Sequence, residues 1–109
     1  MSSSSTSGSI IEAVLVPGMP PVHPGRVLAE ILQDHGLGVA DAAARLGVAQ
    51  HTLQRLLAGQ QRVSADIALR LGRLCGNGPE IWLNLQSQYD LAQARARSGA
   101  KMESVEPLA

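Results

Sequence analysis

Between His23 and Arg97, apolar residues recur at helical spacing in five runs, and glycines punctuate the gaps. The first run, Val27, Leu28, Ile31 and Leu32, follows Pro24, which suits the first helical position because its missing N–H costs nothing there. Gly36 stops it. Ala42, Ala43 and Leu46 mark a second helix from about Val39 to Leu46, ended by Gly47. Leu53, Leu56 and Leu57 mark a third, from Gln50 to Ala58, ended by Gly59. Ser64 is placed to cap a fourth, with Asp66 in its positive first turn and Ile67, Ala68, Leu71 and Leu74 on its buried stripe. Gly76-Asn77-Gly78 breaks that helix, and Pro79 opens a fifth with Glu80 in its first turn, running to about Arg97. No strand pattern interrupts these helices, so the pattern predicts an all-α, orthogonal bundle of five short helices.

The ends read differently. Residues 1–9 are almost all Ser, Thr and Gly, which bury little, so 1–18 is expected to be a disordered extension. Within it, Ile10 to Val16 is apolar and rich in branched residues, and fits a strand against a partner's edge, a contact segment or a frayed end. Met19 begins a second plausible start of the chain. The domain is expected over 19–97, and the stretch 98–109 reads as a flexible tail.

Composition narrows the function classes. With 45% hydrophobic residues, 2% aromatic residues and no Phe, the core must be built from Leu, Val, Ile and Ala. The formal net charge is zero, but placement matters more than the sum. Val39 to Leu74 carries Arg45, Arg55, Arg62, Arg70 and Arg73 against Asp41 and Asp66, a basic segment inside a neutral chain. Cys75 has no partner for a disulfide and reads as a buried small hydrophobe. No apolar run is long enough to span a membrane and no basic region precedes the N-terminal apolar stretch, so a cytoplasmic address is expected.

The middle of the chain carries the functional signal. Two helices that cross over a tight turn need a small residue at the crossing, a glycine at the turn and buried aliphatics after it. LGVADAAARLGVAQHTLQRLLAG supplies Ala43, Gly47, Val48, Leu53 and Leu56 in that register. This is a helix-turn-helix over Val39 to Ala58. Residues left over on the second of its helices point at base edges in such motifs. Gln50, His51, Gln54 and Arg55 are the expected base readers, because Gln pairs in bidentate fashion with adenine and Arg with guanine. Thr52, Arg62 and Ser64 are expected on the DNA backbone.

Other chemistry finds little support. His23, His35 and His51 sit on a helix start, a helix end and the third helix, without metal-ligand spacing. No nucleophile, base and orienter converge, and no glycine loop cradles phosphate. No enzyme, metal or cofactor is expected. On the fifth helix, Ile81, Leu85 and Ala92 share one stripe and Trp82, Leu85 and Tyr89 another. The arc is wide enough to cover the core and also meet a two-fold copy, with Ile81, Trp82, Leu85 and Tyr89 at a homodimer interface, although all of it could also pack within one chain.

The stretches HPGRVLAEIL, GVADAAARLGVAQHTLQRLLAGQQRVSADIALRLGRL and GNGPEIWLNLQSQYDL resemble the HigA-type antitoxins, a branch of the lambda-repressor-like (Xre) helix-turn-helix proteins. The resemblance runs from His23 to about Tyr89. It implies a five-helix lambda-repressor-like fold and a dimeric autorepressor of its own operator. It also implies the antitoxin of a HigB/HigA-type module, whose partner is a RelE-like ribonuclease toxin held inactive. The resemblance places a dimer contact on the fifth helix as well. This chain departs from the family pattern at Gly38, where a capping Ser or Thr is usual, at Ala49, where a capping Ser is usual, and at Val39, where a polar phosphate contact is usual. Fewer phosphate contacts from the second helix follow, and with them either weaker binding or greater reliance on the third helix and on dimerisation.

Overall fold

In a computed structural model, which describes residues 21–108, the chain forms α1 (Pro24–Asp34), α2 (Val39–Leu46), α3 (Gln50–Leu57), α4 (Ala65–Cys75) and α5 (Glu80–Glu103). No strand occurs among the described residues. The stretch Ile10 to Val16, and the rest of 1–18, lie outside them.

The helix ends follow from side chains at their caps. His23 precedes α1 in extended conformation, and its Nδ1 accepts from the Gly25 N–H at 2.9 Å. Ser64 does the same for α4, its hydroxyl oxygen accepting from the Ile67 N–H. The N-cap residues of α2 and α3, Gly38 and Ala49, contribute no side-chain hydrogen bond. α3 closes at Leu57 with Ala58 as its C-cap, one residue short of the expected end, and Leu57 is half-buried rather than in the core.

The fifth helix departs further from expectation. It continues past Arg97 to Glu103, bent where Ser98 leaves helical geometry. Ser98 stands beside Gly99, the kind of pair at which helices kink. The bend is where the sequence pattern placed the end. The polar residues beyond it hide a continuing helix, because an exposed segment carries no apolar stripe to betray it.

The core joins Val27, Leu28, Ile31 and Leu32 of α1 to Ala42, Ala43 and Leu46 of α2, Leu53 and Leu56 of α3, Ala68 and Leu71 of α4, and Trp82 and Leu85 of α5. Val63, in the loop before α4, joins them. α3 lies against both α1 and α2, α4 contacts α2, and α5 packs on α4 and α1. Trp82 is 0% and Leu85 2% exposed. These two residues, expected at a dimer interface, are therefore interior. A chain without Phe uses its one Trp as the largest piece of its core, and the indole N–H is satisfied by Asn77 Oδ1 at 3.1 Å. Ile81 packs partly buried against the same core, and Tyr89 meets His23 edge-on, ring centroids 5.1 Å apart. No helix among the described residues is long and apolar enough to cross a membrane.

Candidate nucleic-acid interface

The α2–α3 turn has the geometry that the sequence requires. Gly47 adopts φ +72, a left-handed conformation in which a side chain is strained. The N–H groups of Gly47 and Val48 both reach back to the Ala43 carbonyl, at 2.9 and 3.1 Å. Ala43 is buried at the crossing, and Leu53 and Leu56 anchor α3 beneath it. Val48 is half-buried against the core. Val39 also packs against the core, and its side chain offers no polar group to a phosphate.

A second close approach sets the other end of α3. Gly25 is buried in the first turn of α1, where a Cβ would fall 1.8 Å from the Leu56 carbonyl oxygen. Only a residue without a side chain lets α1 lie so near α3. The two glycines thus fix α3 from its start and its finish.

With Leu53 and Leu56 inward, the helical repeat puts His51, Gln54 and Arg55 directly opposite, with Gln50 at their flank. All four are exposed. Arg55 makes one long hydrogen bond, Nη2 to the Gln60 carbonyl at 3.4 Å, across the end of its own helix. Thr52 is half-buried at the edge of the face. Ser64 is exposed, and while its oxygen caps α4 its O–H remains available as a donor.

Arg62 is placed differently from expectation. It is exposed, but its guanidinium pairs with Asp90 of α5. Asp90 also accepts from Gln86 Nε2 at 3.0 Å, while Gln86 Oε1 accepts from the Val63 N–H at 2.8 Å. Gln86 is buried, and this strut ties the 59–63 loop to α5. Slight burial pushes the Asp90 carboxyl up, but hydrogen bonds from Arg62 and Gln86 prevail and hold it below the usual carboxylate range. Burial pushes the His23 imidazole down, and the opposing pull of Asp90 and the Gln61 backbone does not restore it.

Arg70 was not singled out by the sequence pattern. Its Nε donates to Asp66 Oδ2 at 2.9 Å, and its Nη1 donates to the carbonyls of Leu46 and Gly47 at 2.8 and 3.2 Å. The spacing of Asp66 and Arg70 along α4 announces their own pairing, but nothing local announces the turn carbonyls. Gln86 did leave a signal, a polar residue inside the apolar arc of Trp82, Leu85 and Tyr89. Among the described residues, Arg45, Arg55 and Arg73 pair with no carboxylate, so two of the segment's five arginines are neutralised, Arg70 by Asp66 and Arg62 by Asp90 of α5. Cys75 is half-buried, and burial pushes its thiol up to about 11, so it stays protonated at neutral pH.

Comparison with known proteins gives this geometry a context. A family model described as a helix-turn-helix domain matches residues 25–80. The antitoxin HigA-1 of Vibrio cholerae is 35% identical over 89 residues, which cover 81% of this chain and 84% of the relative. An addiction module antidote protein of the HigA family from Coxiella burnetii superposes with a TM-score of 0.77 at 40% identity, over 82% of this chain and 99% of that one. The Pseudomonas aeruginosa antitoxin HigA, solved with the higBA promoter, has a TM-score of 0.77 at 38% identity, again over 82% of this chain and 99% of that one.

Proposed function

Because the chain belongs to the HigA branch of the Xre-like helix-turn-helix family, we propose that it is a non-catalytic transcriptional repressor and antitoxin, which binds its own operator with α3 in the major groove. The observation that carries this reading is the exposed face of α3. Gln50, His51, Gln54 and Arg55 stand clear of the core on a helix gripped at both ends. In this reading they contact base edges, each bidentate pair contributing about 1–3 kcal/mol of discrimination. Thr52 and the Ser64 hydroxyl hold the backbone, near the N-terminus of α4. Arg62 reaches a phosphate with the guanidinium N–H groups that Asp90 leaves free, and the ion pair lowers the charge it offers there.

The protein partner is a RelE-like ribonuclease toxin, as in a HigB/HigA-type module. The repressor acts as a homodimer on a palindromic operator, with half-sites about one helical turn apart or a multiple of it. Trp82 and Leu85 are committed to the core. In this reading the dimer contact falls to the outer side of α5, where Leu83 and Leu91 are 37% and 51% exposed, away from the half-buried Ile81 and Tyr89.

The test is binding to a labelled fragment of the upstream region and to an unrelated fragment at two salt concentrations, with Arg55→Ala alongside. Tight, sequence-dependent binding that Arg55→Ala weakens by about 5- to 100-fold supports the repressor. Equal weak binding to both fragments, in the range of about 10⁻⁴–10⁻⁶ M, would make the motif a scaffold for protein contacts only. Co-purification with the product of an adjacent short reading frame separates the antitoxin from a stand-alone regulator.

A further inference from the structure

We infer that Arg70 is a positioning residue for DNA recognition, a clamp that sets the α2–α3 turn from α4 without touching DNA. The inference rests on the reading of α3 as the recognition helix. Leu46 is the last residue of α2, and its carbonyl has no acceptor role left within that helix. Arg70 Nη1 supplies the missing donor at 2.8 Å and shares itself with the Gly47 carbonyl at 3.2 Å. Its positive charge also sits at the negative end of α2.

The guanidinium is itself aimed. Asp66, one turn earlier on α4, takes the Nε–H at 2.9 Å and leaves Nη1 facing the turn. The turn is shaped to receive it, because a Cβ on Gly47 would lie 2.8 Å from Nη1. Gly47 thus serves twice, for its backbone conformation and for the approach of Arg70. The clamp matters here because neither α2 nor α3 has a capping side chain at its start. No side-chain hydrogen bond from Ala49 fixes the entry of α3, so the turn is held from α4 instead. Lysine cannot replace arginine, since one ammonium cannot meet Asp66 and both carbonyls with the planar fork that does so here.

The experiment compares wild type, Arg70→Met and Arg70→Lys, as full chains. It measures operator and unrelated-duplex affinity across a salt series, circular dichroism, and amide hydrogen exchange without DNA. Arg70→Met is expected to keep its helical signal while operator affinity falls about tenfold, the loss of one base contact. Binding to the unrelated duplex should hold, and so should the slope of log affinity against log salt. Exchange at the Val48 and Leu53 amides should quicken, while that of α5 should not. Arg70→Lys should recover little of either effect. A smaller salt slope with equal weakening on both duplexes would overturn the clamp in favour of a phosphate contact. Unchanged operator affinity with unchanged exchange at the turn would overturn it outright. If wild type itself shows no operator preference, the DNA-binding reading and the positioning role fail together, and quickened exchange in Arg70→Met would then mark a purely structural brace.

Discussion

A histidine that caps a helix through Nδ1 must be neutral to do so. His23 accepts from Gly25 by that nitrogen, beside Tyr89, Asp90 and Arg62, and its folded imidazole is pushed down by burial. The unfolded chain therefore takes up a proton first as pH falls. The cap's contribution is complete above the unfolded value of about 6.5 and is lost as pH drops through the folded one. Asp90, also depressed, acts in a lower window, complete above about 3.9 and lost below it. Thermal melts between pH 8 and 5 should show a falling midpoint for wild type. His23→Ser, which keeps a capping acceptor without the titration, should flatten that arm, and an unaltered slope would remove His23 as its source.

At the scale of elements, the uncapped starts of α2 and α3 are openings for stabilisation. Gly38 has extended backbone at φ −78 and open space where a Cβ would go. Gly38→Ser should add about 1 kcal/mol, by capping α2 and by narrowing the unfolded ensemble. The check is a higher urea midpoint with an unchanged m value. Gly25→Ala should act oppositely and cost at least about 2 kcal/mol, since α1 must retreat from the Leu56 carbonyl. The same melts would register it, and a neutral result would mean that α1 and α3 separate cheaply. These elements also show what a sequence can and cannot display. Helix positions and the register of Ala43, Gly47, Leu53 and Leu56 were legible because each rests on local spacing. The grip of Arg70 on the turn and of Asp90 on Arg62 spans 24 and 28 residues. Such contacts exist only once the helices have packed, and no local periodicity encodes them.

For the whole molecule, the question is which face of α5 belongs to which neighbour. Periodicity finds an apolar arc but not the surface that covers it, which is why Trp82 and Leu85 fit an interface in sequence and a core in structure. Two substitutions separate the layers. Leu91→Glu, on the exposed side, should shift sedimentation toward monomer with little change in the monomer's own stability. Trp82→Ala should cost about 3–5 kcal/mol whatever the association state. A Leu91→Glu protein that still sediments as a dimer would place the contact elsewhere. The burial of Trp82 has a practical consequence too. The chain has one indole, and it sits in the core with its N–H held by Asn77 from the loop between α4 and α5. Its fluorescence is therefore a site-specific signal for the docking of α5, while far-ultraviolet ellipticity reports all the helices at once. Coincident curves from the two would establish one cooperative transition, and an early change in emission would reveal α5 lifting away from helices that remain wound.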